Sequence, residues 1–230
     1  MEYVVPLLTL ILLEVILGID NIIFISILAD KLPDAQRNKL RFWGIGLAML
    51  IRLALLGAIS WILKLDKVLF TVFDIGFTGK CLILLAGGIF LLYKSSKEIY
   101  IKTEAAEGNV SMKKGTFSQL LFEVIMLDIV FSIDSIITAV GMVDELWIMY
   151  TSVIVTVIIM LLASKSIANF IQKHPSFKIL ALCFLMVIGV SLVAEGFKFE
   201  IPKGYIYFSM AFAFLVNIVQ MKILAPKDLK

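Results

Sequence analysis

The sequence predicts an all-α polytopic membrane protein of about seven transmembrane helices, arranged as two inverted three-helix repeats and a seventh helix. Three observations predict this fold class: the mean hydropathy is +1.02, apolar runs recur along the whole chain, and one motif occurs twice. Soluble domains average about 25% charged residues, whereas this chain of 230 residues has 17% charged and 61% hydrophobic residues. Lipid is therefore the expected surrounding of most of the chain.

The apolar runs are each about 20 residues long, which is enough to cross a hydrocarbon core of about 30 Å. The first run contains Glu14 and has no basic residue before it, so we expect a retained helix and not a cleaved signal peptide. The predicted spans are residues 4–28, 42–63, 73–93, 117–140, 146–170, 177–197 and 205–224.

The basic residues are distributed unequally between the two sides of these spans. Fourteen Lys and Arg residues fall in the loops and tail of one side, and five Lys residues fall on the other side. Because cytoplasmic loops are enriched in Lys and Arg, the N-terminus is predicted outside and the C-terminus in the cytoplasm. The five residues predicted outside are Lys64, Lys67, Lys80, Lys198 and Lys203.

An internal repeat is the most informative feature of the chain. The segment LEVILGIDNII at residues 13–23 reappears as LDIVFSIDSII at residues 127–137, shifted by 114 positions. Since each copy begins a group of three helices, an odd number, the second copy enters the membrane from the opposite side, as in many transporters. The matching positions are Glu14 and Asp128, Gly18 and Ser132, Asp20 and Asp134, and Asn21 and Ser135.

The repeat gives the expected domain organisation. Residues 1–93 form the first three-helix repeat, 117–197 form the second, and 198–230 contain the seventh helix and a cytoplasmic tail. Residues 94–116 are polar, contain Gly108-Asn109 and show no apolar periodicity. They are predicted to form a flexible cytoplasmic linker.

The acids of the repeat indicate a site for a cation. A charged side chain at the centre of a membrane helix costs roughly 2.5–3.5 kcal/mol on insertion scales, so such residues usually face a partner, a watery cavity or an ion. An arrangement of oxygen ligands alone suits hard divalent ions such as Mn²⁺, Mg²⁺ or Ca²⁺. The predicted metal ligands are Glu14, Asp20, Asn21, Asp128, Asp134 and Ser135.

Other residues of the spans have less specific roles. Gly18 and Ser132 lie between the acids. We hypothesise that they break their helices and turn backbone carbonyls toward the ion.

Arg52 and Lys165 recur at a shift of 113 and could act as counterions or as fixed partners of the acids. Lys165 could instead reach the membrane surface. A purely structural role of all these charges is the competing interpretation. Glu123 and Glu195, near span ends, are predicted either to be interfacial, in a solvated or capping role, or to line an access route.

Several function classes are disfavoured by the sequence. Cys81, Cys183 and the single His174 cannot form a disulfide framework or a Cys/His zinc site. The sequence has no glycine-rich phosphate loop, no nucleophile-and-base pair and no basic footprint for nucleic acid. We therefore expect no enzymatic activity, no permanently bound cofactor and no nucleic-acid partner.

The two motifs, LEVILGIDNIIF and LDIVFSIDSII, resemble those of the TerC family of membrane proteins. His174-Pro175, GVSLVAEG at residues 189–196 and IPKGYIYFSMAF at residues 201–212 extend the resemblance over most of the chain. The family is associated with tellurium resistance, with movement of manganese out of the cytoplasm and with metal supply to exported proteins. The resemblance thus implies Mn²⁺ efflux and assigns the motif positions Glu14, Asp20, Asn21, Asp128, Asp134 and Ser135.

Two functions from different classes follow as expectations. The first is export of a divalent cation, with Mn²⁺ favoured. The suggested driving force is exchange with protons at the same carboxylates. The second is a membrane scaffold without transport, which organises a tellurium-resistance complex or one that adds metal to secreted proteins. The expected partners are the divalent cation, the lipid bilayer, and in the second case secretion machinery or exported metalloproteins. A third function, an intramembrane enzyme, would need a catalytic pair of acids. The sequence does not distinguish such a pair from an ion site.

Overall fold

The computed structural model describes residues 3–58, 67–72, 75–106, 115–143, 145–199 and 201–224. Within these residues the chain forms seven α-helices and one antiparallel β-hairpin, which confirms the predicted all-α polytopic class. In chain order the elements are α1 Val4–Ala29, α2 Asp34–Gly57, β1 Val68–Val72, β2 Ile75–Thr78, α3 Gly79–Ala106, α4 Phe117–Met142, α5 Leu146–Lys173, α6 Pro175–Gly196 and α7 Lys203–Leu224.

Six of these helices are long and apolar enough to cross a membrane. The exception is α4, which has 26 residues but carries the three acids Glu123, Asp128 and Asp134. All three are buried, and each forms an ion pair with a basic residue of a different helix. The charges of α4 are therefore paired inside the protein.

Proline residues mark the starts of three helices. α2 begins directly after Pro33 and α7 directly after Pro202, while Pro175 is the first residue of α6. Proline lacks an N–H group and has a fixed φ angle, so it suits the beginning of a helix and cannot continue the preceding one. The chain consequently reverses at His174, between α5 and α6.

The helices end on two opposite faces of the bundle. At the linker face, where α1, α3 and α5 end, Asp30 accepts a hydrogen bond from Gln172 at 2.8 Å and pairs with Lys178. At the hairpin face, where α1 and α5 begin, the rings of Tyr3 and Trp147 lie 5.8 Å apart. α1 and α5 therefore run parallel, from the hairpin face to the linker face.

The closest packing joins helices that belong to different predicted repeats. α1 packs mainly on α5, α2 on α4 and α5, and α3 on α6. α3 and α6 meet at Gly88 and Gly189, where a Cβ atom on Gly88 would lie 2.8 Å from the Gly189 carbonyl oxygen. Small residues permit such close backbone approach in membrane helices. The division into two inverted repeats stays a prediction.

The helix boundaries differ from two of the predicted span boundaries. α2 begins at Asp34, not at residue 42, and the predicted end of this span at residue 63 lies outside the described residues. The predicted start of the third span at residue 73 lies outside the described residues, and residues 75–78 belong to the β-hairpin that precedes α3. α3 then continues to Ala106, into the predicted linker. This extension is packed, since Ser95 and Glu98 are buried and Glu98 pairs with Lys31 of the α1–α2 turn. Residues 107–114 of the linker lie outside the described residues.

The hypothesis of broken helices is also wrong, because α1 and α4 are continuous through Gly18 and Ser132. Gly18 instead permits close contact with α5, since a Cβ atom there would lie 2.6 Å from the Met160 sulfur. Ser132 keeps its place in the helix and uses its hydroxyl to bind Asp128, one turn earlier.

Candidate cation site

A buried cluster of charged and polar side chains surrounds Arg52 in the helix core. The Asp128 carboxylate of α4 accepts three hydrogen bonds: from Arg52 Nη2 at 3.3 Å, Asn21 Nδ2 at 3.2 Å and Ser132 Oγ at 3.1 Å. Arg52 Nε also donates to Ser132 Oγ at 3.2 Å. All four side chains are buried. Asp128 is thus fixed by donors from α1, α2 and its own helix.

Glu14 lies on the other side of the same guanidinium group. Arg52 Nη1 is 3.9 Å from Glu14 Oε2, and the Ser152 and Thr156 hydroxyls of α5 lie near the Glu14 carboxyl. Neither Glu14 Oε2 nor Thr156 Oγ1 forms a hydrogen bond of ordinary geometry with a described residue, although both atoms are buried. Buried polar atoms rarely lack a partner, and here the Glu14 carboxyl lies beside Arg52 and the two hydroxyls.

Helix geometry explains which motif residues meet at Arg52. Seven residues separate Glu14 from Asn21, and four separate Asp128 from Ser132, so each pair lies on one face of a continuous helix. Asp134 falls on a different face of α4. It forms its ion pair with Lys203, the first residue of α7, at the hairpin face.

Arg52 lines two cavities that extend toward opposite faces of the bundle. The cavity nearer the linker face has a volume of about 20 Å³ and includes Asn21, Met49 and Asp128 among its lining residues. A cavity needs roughly 10–15 Å³ of such volume to hold one water molecule, so there is space for a water or a small ion. Arg52 forms the boundary of this cavity toward the hairpin face.

The second cavity lies nearer the hairpin face and has a volume of about 40 Å³. Asp134 and Ser135 of α4 line it, together with Glu195 at the end of α6. Glu195 also pairs with Lys80 at 3.2 Å. Of the two roles predicted for Glu195, lining a route is therefore the one that its position favours. The remaining lining residues include Leu17, Arg52, Ser191, Lys203 and Tyr207.

Two sequence-predicted residues, Lys165 and Glu123, lie apart from this arrangement, and the side chain of a third is not described. The side chain of Asp20 is outside the described part of the structure, so its predicted role as a ligand stays a prediction. Lys165 is exposed on α5 and does not lie in the buried cluster. Glu123 is buried near the linker face and pairs with Lys94 of α3.

Sequence reasoning missed four contributors to the site: Ser132 as a partner of Arg52, the hydroxyl pair Ser152 and Thr156, and Lys203. Ser152 and Thr156 are four residues apart in an apolar helix, and this spacing was a usable signal of a polar stripe. No such signal marks Lys203, which follows a proline in a loop like any solvated lysine. Only the packing of α7 on the bundle brings it to Asp134.

The described side chains include no group of three His, Cys, Asp or Glu residues close enough to hold a metal ion. Arg52 occupies the space between Glu14 and Asp128, and Lys203 covers Asp134. The acids can therefore exchange a protein cation for a mobile one, provided that the basic side chain withdraws. The predicted joint coordination by Glu14, Asn21, Asp128, Asp134 and Ser135 stays a prediction.

Membrane-length helices that enclose paired charges define a multi-pass membrane protein. The chain belongs to the TerC family: residues 1–227 match the family described as "Integral membrane protein TerC family". The inner-membrane location of its relatives agrees with a multi-pass cell-membrane protein.

The chain resembles several bacterial proteins. It is 49% identical to the UPF0053 inner membrane protein YoaE of Escherichia coli over 214 residues, which are 92% of this chain and 41% of YoaE. The chain therefore spans about two fifths of YoaE. It is 46% identical to the UPF0053 inner membrane protein YgdQ of E. coli, over 93% of this chain and 90% of YgdQ. A UPF0053 protein of Haemophilus influenzae is 48% identical, over 95% of this chain and 93% of that protein. No solved structure matches the chain significantly.

Proposed function

We propose that the protein is a transporter that exports a divalent metal cation, with Mn²⁺ as the favoured substrate. The observation that carries this proposal is the position of Arg52 between two cavities, one lined by Asp128 and the other by Asp134. These two acids belong to the second copy of the repeated motif. A cation moving from one cavity to the other would pass from one acid to the next.

The chemistry of the donor groups supports a hard divalent substrate. Carboxylate, amide and hydroxyl oxygens line the two cavities, and the Glu14 carboxyl lies 3.9 Å from Arg52, which lines both. Such ligands suit Mn²⁺, Mg²⁺ and Ca²⁺ better than soft metals. The preference for Mn²⁺ among these three comes from the resemblance to the TerC family.

Arg52 supplies the barrier that such a transporter needs. Its guanidinium pairs with Asp128 and lies 3.9 Å from Glu14 when no metal binds there, and an arriving divalent cation would displace it from both acids. In alternating access the two cavities would open in turn to the two faces. With the N-terminus outside, the linker face is cytoplasmic, and export runs from the Asp128 cavity to the Asp134 cavity.

Proton exchange is the proposed driving force. The sequence contains no ATP-binding motif, and the same carboxylates that bind a metal can bind protons after the metal leaves. The protein is then no enzyme and holds no permanent cofactor. An imposed proton gradient is expected to accelerate metal flux, and a protonophore is expected to remove that acceleration.

Metal flux into liposomes that contain the purified protein tests the transport function. Mn²⁺, Ca²⁺ and Mg²⁺ gradients are compared for the wild type, Asp128→Asn and Asp134→Asn. Both variants are expected to lose at least about 90% of the flux, because each removes the only carboxylate of α4 at one cavity, and replacing even the supporting partners of metal ligands typically costs about 10–100-fold in affinity or activity. Asp20→Asn is expected to act alike, from its place in the repeat.

Glu123→Gln is the matched control for these variants. It removes a third buried acid of the same helix, but Glu123 pairs with Lys94 and lines neither cavity. Its flux is expected to remain near the wild-type level, because Glu123 lies outside both cavities. Equal loss in all three α4 variants would contradict a specific path and indicate general damage to the helix.

A membrane scaffold is the second candidate function. The ion pairs of α4 favour the scaffold, because Arg52, Lys94 and Lys203 each pair with one of its acids. Ion pairs of this kind can hold helices together without any role in transport. Its partners would be secretion machinery or exported metalloproteins. If liposomes with the wild-type protein take up Mn²⁺, Ca²⁺ and Mg²⁺ no faster than protein-free liposomes, the transporter is excluded and the scaffold is favoured.

A further inference from the structure

α7 is attached to the bundle by different chemistry at its two ends. None of its most apolar stretch is buried, and among the described residues it packs mainly on α6. Toward the linker face the rings of Phe214 and Phe177 lie 5.0 Å apart, and Ser176 Oγ donates to Asn217 Oδ1 at 3.2 Å. At the hairpin face the attachment includes the ion pair of Lys203 with Asp134. Charge thus holds the end of α7 that lies beside a cavity.

Lys203 occupies an unusual position for a basic residue. It is the first residue of α7, where the positive end of the helix dipole disfavours a cation. Its side chain is 36% exposed, whereas the Asp134 side chain behind it is 9% exposed. The ammonium group therefore lies between the buried acid and the surroundings of the protein. Ile206 and Tyr207, one turn further along α7, line the same cavity.

We infer that Lys203 competes with the transported cation for Asp134, and that the start of α7 acts as a lid on the second cavity. This inference rests on the proposed function, cation transport. A lysine suits the role because its ammonium is a compact charge on a flexible stem. It can leave the carboxylate by rotation of its own side chain, and the anchored end of α7 can stay in place.

Competition has a direct consequence for affinity. A metal ion that binds Asp134 must first displace the tethered ammonium group, so the observed affinity is the intrinsic affinity reduced by the stability of the ion pair. Displacement also removes the charged attachment of the α7 end. Metal binding at Asp134 and opening of the lid are then linked, and each favours the other.

Equilibrium Mn²⁺ binding to the purified full chain in detergent, followed by the electron paramagnetic resonance signal of free Mn²⁺, tests the competition. Lys203→Met is expected to bind Mn²⁺ about tenfold more tightly than the wild type, which corresponds to loss of a competing interaction of moderate strength. Lys203→Arg keeps the charge and is expected to bind no more tightly than the wild type. The double variant with Asp134→Asn is expected to lose the gain entirely.

Lys94→Met is the matched control for a general charge effect. Lys94 pairs with Glu123, another acid of α4, near the linker face. The variant therefore removes one positive charge at a distance from the second cavity. Its affinity is expected to match that of the wild type. An equal gain in Lys94→Met and Lys203→Met would overturn the inference, because the effect would then reflect net charge alone.

Thiol labelling tests the lid separately. Ser191 lines the second cavity, so Ser191→Cys, in a background with Cys81 and Cys183 replaced, reports access to it. Labelling by a charged methanethiosulfonate reagent is expected to be at least severalfold faster when Lys203→Met is added, and unchanged when Lys94→Met is added. Equal labelling rates for Ser191→Cys alone, with Lys203→Met and with Lys94→Met would show that the start of α7 is not a lid.

The outcomes separate this inference from the proposed function. If the wild type binds Mn²⁺ through Asp134 but Lys203→Met leaves the affinity unchanged or weaker, the role of Lys203 is wrong and cation binding stands. If the wild type binds none of Mn²⁺, Ca²⁺ or Mg²⁺, the proposed function fails and the competition fails with it.

Discussion

Arg52 of α2 and Asp128 of α4 form a buried ion pair, with Arg52 Nη2 3.3 Å from Asp128 Oδ1. Ser132 completes a triangle, since its hydroxyl accepts from Arg52 and donates to Asp128. The pair joins a helix of the first predicted repeat to a helix of the second. It therefore contributes both to the packing of the two halves and to the boundary between the two cavities.

Arg52→Gln is expected to lower the free energy of unfolding by about 3–5 kcal/mol, because removal of one partner leaves buried charge without compensation. Asp128→Asn is expected to cost less, since Arg52 keeps Glu14 as a partner. Denaturant titration in mixed micelles, followed by circular dichroism, measures these changes.

The double variant Arg52→Gln with Asp128→Asn is the control for this prediction. Residues in one ion-pair network couple by about 0.5–3 kcal/mol, so the double variant is expected to be more stable than the sum of the single effects indicates. Strict additivity would mean that the two side chains do not stabilise each other in the folded protein.

Gly88→Ala tests the crossing of α3 and α6. The added Cβ atom would lie 2.8 Å from the Gly189 carbonyl oxygen, and backbone atoms can relieve such a clash only by moving the helices apart. A loss of stability of about 1–3 kcal/mol is expected, measured as a lower melting temperature in detergent. Gly46→Ala is the matched control in α2, because a Cβ atom there meets nothing within 4 Å. It is expected to be neutral or to stabilise by up to about 1 kcal/mol.

Lys165→Gln tests one of the two predicted counterions. Because Lys165 is exposed, its replacement is expected to change stability by no more than about 0.5 kcal/mol and to leave metal flux at the wild-type level. Loss of flux would show that Lys165 reaches the acids during transport, and would restore the symmetrical role that the sequence indicated.

The membrane class and the importance of α4 could be predicted from the sequence. Long apolar runs report burial in lipid directly, and acids within them stand out because each is costly there. The start of α3 could not be predicted, because residues 75–78 are apolar enough to read as part of a span although they pair with residues 68–72 in a hairpin. The continuity of α1 through Gly18 could not be predicted either, since a glycine in a helix can mark either a break or a close contact.

The sequence alone determined the family, the approximate spans and the six motif residues, because these features are carried by local runs and by a repeat along one chain. Only the tertiary structure decided the partners of the acids. It placed Arg52 between Glu14 and Asp128, Lys203 on Asp134 and Lys165 at the surface. The physical reason is that an ion pair joins residues far apart in the chain, and helix packing sets which long side chains reach one another.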